Sequence, residues 1–578
     1  MTIIDPADRT ARAPSQALLW RSRLRDLRPA RTERSVLAAM GPLIAACRGQ
    51  GRADLAELRR AYEVAERMHR GQTRKSGAPY ITHPLAVATI LAEMGMDTTT
   101  LVAALLHDTV EDTDYTLGQV RADFGAEVAI LVDGVTKLDG ERWGDRAEAE
   151  TFRKIVLAAA ADLRVLVIKL ADRLHNLRTL GFKEPHKRER IARASLELLV
   201  PFAERLGIYE LKREMDDLAF AALDPAAHAR TAAAVREAVA AAPTLDPALA
   251  RIRAALAEHH LRATVSLRPR HLYKVFLNLD GDLDGLRPSD VTRILVLVDG
   301  ADQDCYIALG AVHAALHPAP GRVKDFIALP RFNLYQSLHT RVIGPTGDLL
   351  DVIIRSEAMH PVAEYGIVAH IRDADHATTT DTVAGRRDLG WLGRLLAWEP
   401  DAPSADFLDG LRTDLRTGTV AAFDPAGSIV TLPAGATALD FAYALGPDTG
   451  DSSIGALING RLAALSAEVR GGDLVEILTA PDASPSEEWL QYANAAPTRV
   501  HIQRRLTARR ADEAAANGRR ILQQALADQC IDLLAAESRG DSLAIARSLG
   551  HPDADQMYAA IATGILDLPA LLPRFRAG

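Results

Sequence analysis

The densest chemistry in the chain lies in Leu105-Leu106-His107-Asp108-Thr109-Val110-Glu111-Asp112. Written as a helix, this stretch puts His107 and Glu111 on one face and Asp108 and Asp112 on the adjacent one. Acids are common at solvated helix ends. Here they follow the apolar run Leu101 to Leu106, and an imidazole beside a carboxylate is a donor pair for a divalent cation. Glu111 and Asp112, one turn on, are placed to position or deprotonate a water. Upstream, Arg74-Lys75-Ser76-Gly77-Ala78-Pro79-Tyr80-Ile81-Thr82-His83-Pro84 predicts a helix capped by Thr82, with His83 and Pro84 in its first turn. Arg74 and Lys75 fall on the Gly/Pro-rich loop before it. Downstream, Asp172 and Asn176 are one turn apart, Thr179 is near the same face, and the run Val165 to Leu170 precedes them. An aspartate leaving a buried run is costly unless it is paired or metal-bound. Taken singly, a His-Pro is only a helix start and an Arg-Lys only a solvated loop.

A second set lies further on, in Gly321-Arg322-Val323-Lys324-Asp325 and Tyr335-Gln336-Ser337-Leu338-His339-Thr340. Arg322 and Lys324 can screen phosphates, and Tyr335 can stack on a base. Strand-edge charges and a core tyrosine would give the same pattern. No G-x-x-x-x-G-K-[ST] run occurs, so this is not a P-loop enzyme.

The elements that must hold these residues follow from period and punctuation. With 578 residues the chain is too long for one core, and roughly three to five domains are expected. From about Ala53 to Leu223 apolar residues recur at helical spacing, and an Ala-rich helical stretch runs on to about Leu261. Ile294 to Val298, Asp325 to Leu329, His339 to Ile343 and Leu349 to Ile354 read as strands of a mixed α+β domain. Asp373 to Arg387 and Glu399 to Asp406 read as linker around a short helix at Trp391 to Trp398. Phe423 to Thr479 reads as compact and β-like, with turns at Pro433-Ala434-Gly435-Ala436-Thr437 and Gly471-Gly472-Asp473, and the chain is helical after about Pro485.

The bulk numbers set outer limits. A net charge of −8 gives no global attraction to nucleic acid, so any RNA contact is local. Cys47, Cys305 and Cys530 are far apart, which excludes a disulfide scaffold or a cysteine-rich zinc module and fits a reducing cytoplasm. No apolar run has the length of a membrane span, and no signal-peptide pattern opens the chain. The arginine-rich stretch Arg9 to Arg34 reads as a basic lead-in. Nothing in the sequence sets an oligomeric state.

The first group of motifs resembles a known family. Arg74-Lys75-Ser76-Gly77 with Tyr80-Ile81-Thr82-His83-Pro84, Leu105 to Thr113, Val132 to Leu138 (VDGVTKL) and Lys169 to Leu180 (KLADRLHNLRTL) are similar to the HD-type hydrolase domain of the long RelA/SpoT family. These are the bifunctional (p)ppGpp synthetases/hydrolases. The resemblance implies that His83, His107, Asp108 and Asp172 bind Mn²⁺ and that Glu111 and Asp112 activate the attacking water. It implies that Arg74, Lys75, Ser76, Asn176 and Thr179 hold the guanine nucleotide (p)ppGpp. The implied reaction releases pyrophosphate from the 3′ position and leaves GDP or GTP.

From about Arg268 to Arg372 the chain resembles the family's pyrophosphokinase domain, through Tyr335 to Thr340 (YQSLHT) and Met359 to His370 (MHPVAEYGIVAH). The implied site comprises Arg268, Arg270, Asp290, Arg322, Lys324, Tyr335, Gln336, His339 and Asp351, with Mg²⁺ if synthesis occurs. Several pieces depart from the family pattern. In the ATP loop, written RPKHxYSIxxK in the family, Arg270 replaces the first lysine, Lys274 the serine and Asn278 the last lysine. The arginine of D-L-x-x-x-R is lost after Asp290. Asp351 replaces the glutamate of ExQIRT, leaving the carboxylate about 1.5 Å short where Mg²⁺ demands tight geometry. These departures predict weak or absent synthesis, with the region surviving as a nucleotide sensor or scaffold.

Phe423 to Thr479 resembles the family's TGS domain, which in long members helps to read tRNA on the ribosome. The histidine after the Tyr443-Ala444 pair is replaced by Leu445-Gly446-Pro447. Arg499, Arg504, Arg505, Arg509 and Arg510 can touch RNA or line a solvated helix. The zinc-finger-like and ACT-like modules of long members have no counterpart, and these departures argue against activation by stalled ribosomes.

The fold class expected is therefore multidomain. It comprises a basic lead-in at 1–45, an all-α HD-type hydrolase domain at 46–223 and an α+β nucleotidyltransferase-like synthetase domain at 224–372. A linker at 373–417, a β-grasp-like TGS domain at 418–481 and a helical domain at 482–578 complete it. Hydrolysis of (p)ppGpp is the leading reading. The alternatives are a bifunctional enzyme, a noncatalytic guanine-nucleotide or RNA-binding regulator, and a hydrolase of another 3′-phosphorylated nucleotide.

Overall fold

The computed structural model describes residues 33–48, 54–136, 154–155, 157–159, 161–331, 333–374 and 419–576. Most of the basic lead-in, most of the linker with its Trp391 to Trp398 helix, and the end of VDGVTKL lie outside the described residues. The chain divides into two compact units, Met1–Leu415 and Arg416–Gly578.

The first unit begins with a helical region. Its elements include α1 (Leu55–Met68), α2 (Thr82–Met94), α3 (Thr98–Leu106), α4 (Thr109–Asp112), α5 (Leu117–Val135), α6 (Arg164–Arg178) and α7 (Tyr209–Leu223). Local sequence sets the helix ends. Asp54 and Asp97 accept amide hydrogens at the starts of α1 and α3, and Thr116 with Gln119 forms a capping box on α5. Gly95, with φ 93°, closes α2. α3 is apolar all round: Leu101, Val102, Ala103, Ala104, Leu105 and Leu106 are each 0% exposed. A helix of that kind belongs at the centre of a bundle, and each fully buried leucine contributes about 1.5–3 kcal/mol. α1, α2, α5 and α6 surround it.

Two local expectations are corrected. Thr82 does not cap α2; it is the first helical residue, and its hydroxyl donates to the Pro79 carbonyl at 2.7 Å. The hydroxyl is therefore spent as a donor on the preceding loop. His107 to Asp112 is also not one uninterrupted helix. α3 ends at Leu106, and His107 and Asp108 form a turn before α4. The break keeps αR backbone angles at both residues, and the Asp112 amide still donates to the Asp108 carbonyl.

After α8 (Pro225–Ala240) and α9 (Asp246–Glu258) the same unit turns into a five-stranded mixed sheet of order β1-β2-β5-β4-β3. The strands are β1 (Ala263–Pro269), β2 (Thr292–Val298), β3 (Lys324–Asp325), β4 (Leu338–Ile343) and β5 (Leu349–Ser356). β2 and β5 run parallel, and the other neighbours are antiparallel. α9 and α11 (Asp302–Ala315) cover one core with Val296, Val298, Val352 and Ile354. The expected strand Asp325 to Leu329 shrinks to two residues, because the Asp325 carboxylate accepts the Ile327 and Ala328 amides. Those donors turn the chain instead of joining a ladder. β1 and α10 (Leu272–Asn278) stand where the sequence showed only a phosphate-loop pattern.

Within this unit the helical and sheet regions meet at backbone distance. α12 (Met359–Tyr365) ends at Gly366, whose φ is +54°. The Ile367 amide donates to the Leu206 carbonyl at 2.9 Å. A Cβ on Gly366 would fall inside the Leu206 carbonyl oxygen and the Gly207 backbone.

The second unit opens with the hairpin β6 (Thr419–Phe423) and β7 (Ile429–Pro433), then β8 (Ser453–Ile458), β9 (Arg461–Ala463) and β10 (Val475–Thr479) in a three-stranded sheet of order β10-β8-β9. α13 (Ala438–Leu445), capped by Thr437 and Asp440, packs on them. α14 (Ala496–Ala527) and the four shorter described helices that follow it complete the unit. No described helix is long and apolar enough to cross a membrane.

Candidate active site

α2, the α3–α4 break and α6 deliver His83, His107 with Asp108, and Asp172 to one point. All four are buried, at 2%, 2%, 6% and 5% exposure. His83 Nε2 lies 3.4 Å from Asp108 Oδ2 and 3.2 Å from Asp172 Oδ1, and His107 Nε2 lies 3.1 Å from Asp108 Oδ1. Ligand atoms of His83, His107 and Asp108 all fall within 4.8 Å of one another.

Proton accounting shows what this cluster fits. His107 Nδ1 is 2.8 Å from the Ala104 carbonyl. A carbonyl only accepts, so that nitrogen carries the ring proton and Nε2 presents a lone pair. Among the described residues Nε2 is buried and has no hydrogen-bond partner, yet it lies 3.1 Å from a carboxylate oxygen. Two acceptors facing each other in a buried site are repulsive unless they share a cation. Burial holds the His83 imidazolium pKa down, against the opposing pull of Asp172, so His83 too offers a lone pair. Two imidazoles and two carboxylates are a donor set for a divalent ion.

Further side chains brace this set. His83 Nδ1 lies 2.7 Å from His175 Nδ1. Burial first of all, with the Arg74 guanidinium near by, holds the His175 pKa well below normal. Asp172 accepts from Lys169 Nζ at 2.8 Å and Asn176 Nδ2 at 2.6 Å. Burial pushes its carboxyl pKa up, but Lys169 and His83 outweigh that and hold it well below the usual range. Hydrogen bonds of this sort from behind fix a side chain's tautomer and orientation. Tyr80 donates its hydroxyl between Asp108 Oδ2, at 2.9 Å, and Asp112 Oδ2, at 2.6 Å. Its ring stacks on His69 with centroids 4.4 Å apart.

The remaining expected residues divide. Arg74 Nη2 donates to Asn176 Oδ1 at 3.0 Å, and Arg74 Nη1 is buried without a partner among the described residues. Lys75 and Ser76 are exposed on the same loop. The Thr179 hydroxyl donates back to the His175 carbonyl at 3.1 Å. Glu111 is half-buried on α4. Sequence reasoning missed Tyr80, His175 and Lys169 as parts of the site, although all three stand inside the motifs it singled out. It also missed Lys183, outside them; burial, then the charges of Arg74, Arg173 and Lys75, lower its ammonium pKa.

The sheet region of the first unit is wired differently. Arg270 pairs with Asp351, which also accepts from Arg341 Nε at 2.6 Å. Burial pushes the Asp351 carboxyl pKa up, but the Arg341 bond and the two guanidinium charges bring it below normal. Arg268 pairs with Glu364, as does Arg355, which is 1% exposed. Asp290 is exposed and accepts the Arg287 amide at the start of a short helix. The Tyr335 hydroxyl lies 2.7 Å from His339 Nε2, and Arg331 stacks over Phe326 at 4.4 Å. Burial, then Arg293, Arg331, Arg355 and Lys324, push the His339 pKa down to about 3. Arg322 and Lys324 are exposed, and Gln336 is half-buried. Arg293, absent from the expected set, faces Arg268 across β1 and β2.

In the second unit the arginines of α14 serve internal bonds. Arg499 donates to the Leu490 carbonyl, Arg505 pairs with Asp451 at 2.9 Å, Arg509 with Glu513 at 3.0 Å, and Arg510 with Glu487. His501 packs against Tyr443 with centroids 5.2 Å apart.

Three family models match this chain: an HD domain over residues 61–209, the region found in RelA / SpoT proteins over 285–376, and a TGS domain over 420–479. A Streptomyces coelicolor protein named GTP pyrophosphokinase is 45% identical over 543 residues, covering 90% of this chain and 64% of the relative. The chain thus spans just under two thirds of that relative's length. The Mycobacterium tuberculosis bifunctional (p)ppGpp synthase/hydrolase RelA is 43% identical over 541 residues, covering 91% of this chain and 72% of the relative. The Escherichia coli bifunctional (p)ppGpp synthase/hydrolase SpoT is 43% identical over 478 residues, covering 81% and 67%. With HD, RelA/SpoT and TGS regions in that order and relatives matched along most of its length, the chain belongs to the long RelA/SpoT family.

Proposed function

We propose that the chain hydrolyses the 3′-pyrophosphate of (p)ppGpp at a Mn²⁺-dependent centre held by His83, His107, Asp108 and Asp172. The observation that carries this is the buried Nε2 of His107, without a hydrogen-bond partner among the described residues and 3.1 Å from Asp108 Oδ1, a pair of acceptors that a shared cation reconciles. When bound, a divalent cation screens phosphoryl charge and acidifies water. The chain's own groups do the rest. Arg74, with its spare buried donor, and Asn176 orient the nucleotide; Lys75, Ser76 and Thr179 line the same approach. Glu111 and Asp112 take the proton of the attacking water. Water bonds to the phosphorus on O3′, the O3′–P bond breaks, and GDP or GTP leaves with pyrophosphate. Uncatalysed phosphate ester hydrolysis is among the slowest of reactions, so the alignment of water, acid and ester is the chain's main contribution.

The sheet region, on this reading, makes little or no (p)ppGpp. Asp351, the candidate Mg²⁺ ligand, is already held by Arg270 and Arg341. Asn278 offers no charge to ATP phosphates, which phosphoryl-type transfer needs. A bifunctional enzyme is the second reading, favoured by the names of the mycobacterial and E. coli relatives. Purified protein given Mn²⁺ and ppGpp, and separately ATP and GDP with Mg²⁺, separates the two by chromatography of the products. Absence of pyrophosphate release in the first incubation would end the hydrolase reading.

A further inference from the structure

Asp112 is an exposed residue at the end of α4. A carboxylate there has several staggered rotamers open to it, and a general base must sit within hydrogen-bond reach of the proton that it takes. Something must select one position. The hydrogen bond recorded for this carboxylate comes from Tyr80, at 2.6 Å, and the same hydroxyl reaches Asp108 Oδ2 at 2.9 Å. Tyr80 therefore links a candidate metal ligand to a candidate base through one oxygen.

Tyr80 is itself firmly held. Its ring lies flat on His69, with 16° between the planes, and edge-on to His83, with centroids 6.4 Å apart. His69 is 3% exposed. The Arg74 guanidinium stands 5.9 Å from the Tyr80 ring centre. The Tyr80 amide donates to the Gln72 carbonyl, and Gln72 Nε2 donates to the Asp112 carbonyl at 3.0 Å. His69 Nδ1 is 2.9 Å from Gln72 Oε1. The loop before α2 and the end of α4 are thus tied twice, once through Gln72 and once through the phenol. Only the phenol grips the side chain of Asp112.

We propose that Tyr80 is a positioning residue for the hydrolytic step, its hydroxyl fixing the Asp112 carboxylate relative to Asp108 so that Asp112 takes the proton of the attacking water. The inference rests on the hydrolase reading and adds a division of labour to it. The water oxygen bonds to the phosphorus attached to O3′ as the O3′–P bond breaks. One water proton passes to Asp112, the other stays on the pyrophosphate, and the proton on Asp112 is returned to the departing 3′-oxygen. Tyr80 gains and loses nothing over the cycle.

Tyr80→Phe tests this, because it keeps the ring, the stack on His69 and the backbone bonds and removes only the hydroxyl. With Mn²⁺-loaded protein and ppGpp, kcat falls by roughly 10-fold to 10²-fold, the scale of a misplaced catalytic group. KM, bound manganese and the melting temperature stay at wild-type values. An unchanged kcat overturns the proposal. So does manganese lost in proportion to kcat, because the phenol would then act through Asp108. The second arm is the same change on an Asp112→Asn background, read in single-turnover experiments. With its client gone, the hydroxyl has nothing left to position, and no further loss is expected. A loss as large as in the parent background overturns the assignment to Asp112. Wild-type protein inert toward ppGpp would sink the hydrolase reading and this inference with it. An active wild type with a fully active Tyr80→Phe sinks this inference alone.

Discussion

In the helical region Asp108 and Asp112 face imidazole nitrogens and a phenol; in the sheet region of the same unit Asp351 and Glu364 are each gripped by two arginines. Each pair has one buried acid, Asp108 or Glu364, and one more exposed acid, Asp112 or Asp351, so burial alone does not separate the regions. The compensating charge does. A carboxylate already paired with two guanidiniums has little left to offer a cation, and drawing it away would strand buried positive charge. A carboxylate beside neutral lone pairs is under-compensated, and a metal completes it. Asp172 sits between these cases: Lys169 pairs with one of its oxygens, while the other faces His83. The lesson is that a motif acid is best judged by who already holds it.

Breaking the helical site should have the largest effect. His107→Ala should reduce pyrophosphate release to background while leaving the helical circular dichroism of the chain intact. Near-native turnover in that protein would show that the acceptor cluster is not the metal centre. Next in size, Glu111→Gln should keep bound manganese and lose rate by roughly 10² to 10⁴, the range of general acid–base assistance. Manganese lost from that variant would instead place Glu111 among the ligands.

The sheet region should respond in stability rather than rate. Glu364→Gln leaves Arg355 buried and short of its countercharge, which should cost about 3–5 kcal/mol, read as a lower denaturant midpoint for the first unit. Burial pushes the Glu364 carboxyl pKa up, but Arg268 and then Arg355 prevail and bring it to about 2. Its pKa is thus depressed below an unfolded value of about 4.3. The pair's contribution is fully present above that value and is lost as pH falls through about 2. Between those limits the wild type should lose more stability with acid than Glu364→Gln does. Parallel pH curves would show that the arginine clamp contributes nothing. The smallest expected effect is none at all. His107→Ala protein given ATP, GDP and Mg²⁺ cannot destroy product as it forms, and should still accumulate no ppGpp. Robust accumulation would erase the contrast between the two regions and make the chain bifunctional.

The helical region was readable because its signals are local. Apolar runs lead directly into His107-Asp108 and Asp172, which marks those polar residues as buried, and the structure brings them together with His83. What escaped depends on partners far away in sequence. Nothing around Tyr80 says that its hydroxyl will meet Asp112, and nothing near Asp351 says that Arg270 will close on it. The same holds for Arg293, which strand register sets opposite Arg268. The capping role expected of Thr82 failed because a hydroxyl can donate as well as accept, and the Pro79 carbonyl was nearer. The strand expected after Asp325 failed because that aspartate takes the amide hydrogens itself.

The crossing at Gly366 has a genetic consequence. Glycine is encoded by GGN, and every single-base change in that codon that alters the amino acid installs a Cβ or a stop. At this position a Cβ collides with the Leu206 carbonyl, and the positive φ already disfavours side chains. Neither obstacle is relieved by choosing a smaller residue, since alanine meets both. This backbone contact between the helical and sheet regions therefore rests on one codon with no neighbouring sequence available to it. A saturation library at position 366, selected for folded protein, should return glycine alone.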